Sequence, residues 1–174
     1  MTTNKTPVSF KRLMAAVTQE PGDPTFSVLK AHLVFEELLR AYLDRELRNP
    51  NALEGARLTF AQLLAVARAC SPVSDVKWHW EAIAKLNSLR NMLSHNLLPK
   101  ERDSRIADFV SFIVKSNGIP MPPPTIAGGA ALPPGQLFFL EIDMATGGLF
   151  GFTAGEFGFE LDFDRTEELP AGIA

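Results

Sequence analysis

Arg90 and His95 stand in the run Leu89-Arg90-Asn91-Met92-Leu93-Ser94-His95-Asn96. An imidazole titrates near pH ~6.5 and can take or give a proton at neutral pH. A guanidinium offers paired donors to an anion. Amides and a hydroxyl beside them can orient either group. The run therefore reads as a catalytic pair. It also reads as a polar helix end, because Asn and His near a C-terminus satisfy the last carbonyls and a cation there favours the helix dipole. Spacing alone leaves both readings open.

On a helix turning ~100° per residue, Trp78, Ala82, Leu86, Leu89, Leu93 and Leu97 fall on one flank, the buried stripe. Asn87, Arg90, Asn91, Ser94 and His95 fall on another, purely polar one. Glu81 and Lys85 take a third face as a surface pair. Short amides and a hydroxyl beside Arg and His suit a half-buried hydrogen-bonding groove better than open solvent. Arg90 and His95 themselves project ~140° apart on an ideal helix. They converge on one ligand only if the last turn unwinds near Ser94 or two subunits share the site.

Other candidates lie nearby. Trp80 projects above the polar groove, where it could stack a base or pack in a core or dimer interface. His79, between Trp78 and Trp80, projects near the buried stripe and reads as a satisfied core histidine. His32 has Glu36 at i+4 and reads as a helix-surface or structural pair. No glycine-rich phosphate loop, nucleophile elbow or zinc spacing is present, so no cofactor and no metal are expected.

The elements that carry these residues are helical. Residues 9–19 predict a short helix, ended by Pro21-Gly22-Asp23-Pro24. Leucines at helical spacing predict a long helix over about 26–48, with Thr25 as its cap. Thr59-x-x-Gln62 is a capping-box pattern opening a helix over 59–70. Ser74 can cap a helix over about 75–97. Asp103 or Ser104 can cap one over about 104–117, with Gly118 as its stop. Short connections predict an all-α up-and-down bundle of four to five helices over residues 1–118. Residues 119–174 then read as a Pro/Gly-rich linker and a small β extension, because QLFFLEIDM, GLFGFTA and EFGFELDF alternate apolar with polar or small residues.

Charge divides the same way. Residues 1–118 hold 16 Lys and Arg against 12 Asp and Glu, whereas residues 136–174 hold one Arg against eight acids. The tail reads as a solubilising segment or as a cover for a basic surface. Cys70, the one cysteine, ends an apolar helical run and reads as core packing. A single thiol allows no intrachain disulfide and suits a reducing cytoplasm. No uninterrupted apolar run approaches the ~20 residues of a membrane span, and the N-terminus lacks a signal-peptide pattern.

Arg90-x4-His95 with polar Asn91 after the arginine, late in a helix of a small bundle that also holds LVFEELLRAYL, resembles the HEPN superfamily. The resemblance covers about residues 10–117. It implies a metal-independent endoribonuclease of toxin or phage-defence type, acting at a homodimer cleft and held by an antitoxin or regulatory partner. It implies that His95 is the general acid or base, that Arg90 holds the scissile phosphate, and that Asn91 orients one of them. Asn87 and Ser94 would line the groove, and Glu36 or Glu37 would position Arg90. Two departures matter: Asn96-Leu97 stand where many active members have a tyrosine, and the tail from Gly118 lies outside the family pattern. The missing tyrosine and the modest positive charge of the body point to the alternative of a non-catalytic module that binds nucleotide, RNA or protein.

Overall fold

A computed structural model describes residues 23–53, 55–72, 77–95, 100–118 and 132–159. The predicted helix at 9–19, the Ser74 cap, Asn96, most of the linker and the tail beyond residue 159 lie outside them. Among the described residues five helices form: α1 (Pro24–Glu46), α2 (Phe60–Cys70), α3 (Trp78–His95), α4 (Arg102–Asn117) and α5 (Pro134–Glu156), with a 3₁₀ turn at Pro50–Leu53. No strand occurs among the described residues.

The first four helices follow the sequence punctuation, with corrections at their starts. Asp23 rather than Thr25 caps α1. Its carboxylate accepts from the Thr25 amide at 2.9 Å, and Pro24 fills the first helical position, where an amide would go unbonded. That amide bond is the main reason the Asp23 carboxyl sits below its usual range. The capping box at Thr59 and Gln62 forms in full. Neither Asp103 nor Ser104 caps α4; Glu101 takes the cap position with no side-chain bond, and Gly118 ends the helix at φ 65°.

Among the described residues the β extension does not form, and the end of its third segment, EFGFELDF, lies outside them. The first two segments assigned to strands, QLFFLEIDM and GLFGFTA, lie within the continuous helix α5. Its buried face (Ile142, Ala145, Thr146, Leu149, Phe150, Thr153) has helical spacing, and burying it outweighs the helix penalty of its glycines, about 1 kcal/mol each. The Thr146 and Thr153 hydroxyls donate back to the carbonyls of Ile142 and Leu149. Gly158, at φ 72°, closes the helix. The Phe159 amide donates to the Ala154 carbonyl and the Gly158 amide to Gly155, a Schellman turn. Arg45 of α1 clamps this turn by donating to the Phe157 carbonyl and lying over the Phe159 ring.

Contacts fix the helix directions. α1 and α5 run in the same sense, because Phe35 meets Phe150 and Tyr42 stacks on Phe157. α1 and α2 also run in the same sense: Phe60 packs on His32 near their starts, and Ser71 lies beside Tyr42 near their ends. α3 opposes α1 and α5, since His32 meets Asn87 and Trp78 meets Phe152. The up-and-down expectation is therefore corrected. α2, α3 and α4 alternate, while the chain crosses back before α2 and before α5. One core takes Phe35, Leu39, Leu63, Ile83, Leu86, Ile106, Ile113 and Leu149 from all five helices.

α5 is long and apolar enough, by length and composition, to cross a bilayer. Its buried face instead packs in this core, and it carries a buried aspartate, Asp143.

Candidate functional site

The polar stripe of α3 changes environment along its length. At the start of the helix the same flank holds Trp80 and Ile83, which are fully packed. The α5 turn covers them, with Phe157 5.6 Å from the Trp80 ring. Asn87 and Arg90 are half-buried, and Asn91, Ser94 and His95 are exposed. The stripe thus emerges from the core at Asn87 and opens to solvent over the last two turns.

Trp80 is consequently no base-stacking residue: it is 2% exposed and sits between His79 and Phe157. Trp80→Ala is expected to cost about 3–5 kcal/mol of stability by leaving a cavity. Chemical denaturation measures this, and a cost below ~1 kcal/mol contradicts the packing account. Glu36 does not reach Arg90; its carboxylate accepts from Arg40 at 2.8 Å, one turn along the same helix.

Arg90 donates to the Asn91 amide oxygen at 3.2 Å and meets no carboxylate among the described residues. Other arginines of the bundle are neutralised: Arg40 by Glu36, Arg45 by Glu46, Arg102 by Asp103 and Asp23, Arg105 by Glu101. α3 stays helical through His95, and the Ser94 hydroxyl donates to the Arg90 carbonyl at 2.9 Å. The last turn therefore does not unwind, and Arg90 and His95 leave the helix on different flanks. Among the described residues no hydrogen bond fixes the His95 ring.

No family model, curated protein or solved structure matches this chain. Its chemistry has to be read from its own side chains.

His32, which the sequence pairs with Glu36 on the helix surface, is instead buried beside the stripe. Its ring, 4% exposed, lies against Phe60 with centroids 4.1 Å apart, and its Nε2 is 3.2 Å from the Asn87 Oδ1. Burial holds its pKa below the ordinary histidine range, the Asn87 bond opposes that shift, Arg90 adds to it and Glu36 opposes it. Both Arg90 and Glu36 thus lie within electrostatic reach of the ring. Spacing within α1 offered only Glu36 as a partner; the true partner is on α3.

His79 is fully buried against Trp78, Trp80 and Phe152, and neither ring nitrogen has a hydrogen-bond partner among the described residues. Burial lowers its pKa to about 4. It is a core histidine, as its place on the helix predicts, but an unsatisfied one.

On another face of α3, a cleft of about 470 Å³ is lined by Lys85, Ser88, Met92, Arg105, Asp108 and Phe109. None of the site residues predicted from sequence borders it. Among the described residues, no three of His, Cys, Asp and Glu group as metal ligands.

Proposed function

We propose that the chain is a HEPN-type, metal-independent endoribonuclease whose site is shared between two copies of the chain. The observation that carries this reading is Arg90, half-buried, which among the described residues meets no carboxylate and donates only to the Asn91 amide, beside Asn91, Ser94 and His95 where they reach solvent. A guanidinium in that setting is a receptor for a phosphate oxyanion.

The roles follow from the groups. His95 takes the proton of a ribose 2′-hydroxyl, whose oxygen attacks the adjacent phosphorus. The bond from phosphorus to the 5′-oxygen breaks, and that oxygen receives the proton back from the same imidazolium. Arg90 neutralises the charge that builds on the non-bridging oxygens. The products are a 2′,3′-cyclic phosphate and a 5′-hydroxyl. The need for a 2′-hydroxyl makes RNA the substrate.

The decisive experiment incubates purified protein with labelled RNA in EDTA. Cleavage leaving a cyclic phosphate is expected, and His95→Ala or Arg90→Ala should each reduce it by about 10²–10⁴-fold. Intact RNA, or cleavage indifferent to both substitutions, defeats the proposal. A second reading, a non-catalytic module that binds RNA or nucleotide, draws on the unfixed His95 ring. It predicts Arg90-dependent binding with no turnover.

A further inference from the structure

His32 and Asn87 do something the catalytic pair does not require. His32 is clamped by Phe60 on one side and meets Asn87 across the α1–α3 interface. A neutral imidazole has one N–H, and here Nε2 faces an amide oxygen, so Nε2–H donates and Asn87 Oδ1 accepts. That bond fixes which way the Asn87 amide is turned. Its oxygen is consumed inside the protein, leaving its NH₂ group to bond elsewhere.

The same happens next door. The Asn91 oxygen accepts from Arg90 Nη1, which leaves the Asn91 NH₂ as a donor. Asn87, Arg90 and Asn91 are spaced i, i+3, i+4, so they share one stretch of the α3 surface. Each amide acceptor in this group is occupied from within, and what remains are two NH₂ groups and guanidinium N–H donors. Among the described residues no carboxylate contacts this group, and Glu36, which faces the His32 ring electrostatically, is engaged by Arg40. A donor-rich surface with one positive charge matches a ligand with several acceptors and one negative charge. A phosphodiester is such a ligand.

We propose that His32 is a positioning residue which, by holding the Asn87 oxygen, turns the Asn87 amide outward as a second phosphodiester donor beside Arg90. This subsite is built within one chain, from α1 and α3. The inference rests on the reading of Arg90 as the phosphate-holding residue, and it adds a member from a helix that carries no part of the Arg-x4-His motif.

The test uses the full chain with a 2′-O-methylated RNA hexamer, which binds but cannot be cleaved, and in parallel the unmodified hexamer. Asn87→Asp keeps the size and the acceptor facing His32 but replaces the outward donor with an anionic oxygen. It should weaken binding of the methylated RNA at least ~10-fold. His32→Leu should weaken it by a similar factor, and His32→Gln, whose amide can still donate to Asn87, should restore most of the loss. Circular dichroism establishes that each variant is folded; if His32→Leu is not, Asn87→Asp decides. A purely packing role for His32 would not distinguish Gln from Leu in RNA affinity. The inference is overturned if folded Asn87→Asp, or folded His32→Leu, binds as the wild type does, or if the wild type fails to bind at all. Binding that depends on Asn87 without cleavage of the unmodified hexamer defeats the endoribonuclease reading and leaves this subsite standing. Cleavage by the wild type with unchanged Asn87→Asp does the reverse.

Discussion

Asp143→Asn is expected to stabilise the protein at pH 7, by an amount bounded at about 3 kcal/mol. Asp143 lies in α5 at 5% exposure, and its Oδ1 has no hydrogen-bond partner among the described residues. Burial raises its pKa to about 6, against the weaker pull of a Ser27 hydrogen bond and the Lys30 charge. The folded protein therefore holds a proton that the unfolded chain gives up near pH ~4. Between those values stability falls as pH rises, and above pH 6 the whole cost of a buried carboxylate is present. Asparagine keeps the acceptor for Ser27 and removes the charge.

His79 works in the opposite direction. Its folded pKa of about 4 lies below the ordinary histidine value, so the unfolded chain binds the extra proton. Its contribution is complete above pH ~6.5 and is lost as pH falls towards 4. The two groups titrate over nearly the same window with opposite slopes and largely cancel between pH 4 and 6, leaving buried His32, whose pKa is also lowered, to give the wild type a shallow rise with pH there. Urea unfolding across pH 4–8 checks this. Asp143→Asn should unmask a stability that climbs with pH through that window, and His79→Leu one that declines. An Asp143→Asn protein no more stable than wild type at pH 7 removes the argument.

These opposed groups were only half visible in the sequence, and the difference is instructive. The ends of α1 to α4 were marked by proline, glycine and capping residues, local chemistry that sequence shows directly. α5 was misread because its glycines and alternating phenylalanines mimic strand punctuation. Its helical signal, Ile142 through Phe150 at intervals of three and four, gains its weight from burial against α1, which no local pattern states. That error propagated. Without an α5 end to place Phe157 over Trp80, the tryptophan stayed on a polar flank as a candidate for base stacking. His32 was obscure for the same reason, since Asn87 lies 55 residues away on another helix. The polar stripe of α3, by contrast, is legible from the wheel alone, and it runs from half-buried Asn87 and Arg90 to exposed Asn91, Ser94 and His95.

The regularity of α3 bears on the second large prediction. Arg90 and His95 are separated by ~140° and by ~7.5 Å of rise on an unbroken helix. The bond from Ser94 to the Arg90 carbonyl holds that turn closed. On the proposed reading, a phosphate gripped by Arg90 of one copy would then be served by His95 of a second copy across a two-fold axis. Arg90→Ala and His95→Ala should each be inactive alone. Mixed by co-expression, they form heterodimers in which one of two sites keeps both groups. Random pairing makes half of all dimers mixed, so about a quarter of wild-type RNA cleavage should return. Differently tagged chains allow the mixed dimer to be isolated, and its activity should then approach half. A mixed dimer as inactive as either parent places both groups in one chain's site. A wild-type protein that cleaves RNA as a strict monomer does the same. Recovery would assign the pair to opposite subunits, and the polar end of α3 would then be half of a site that only a second copy completes.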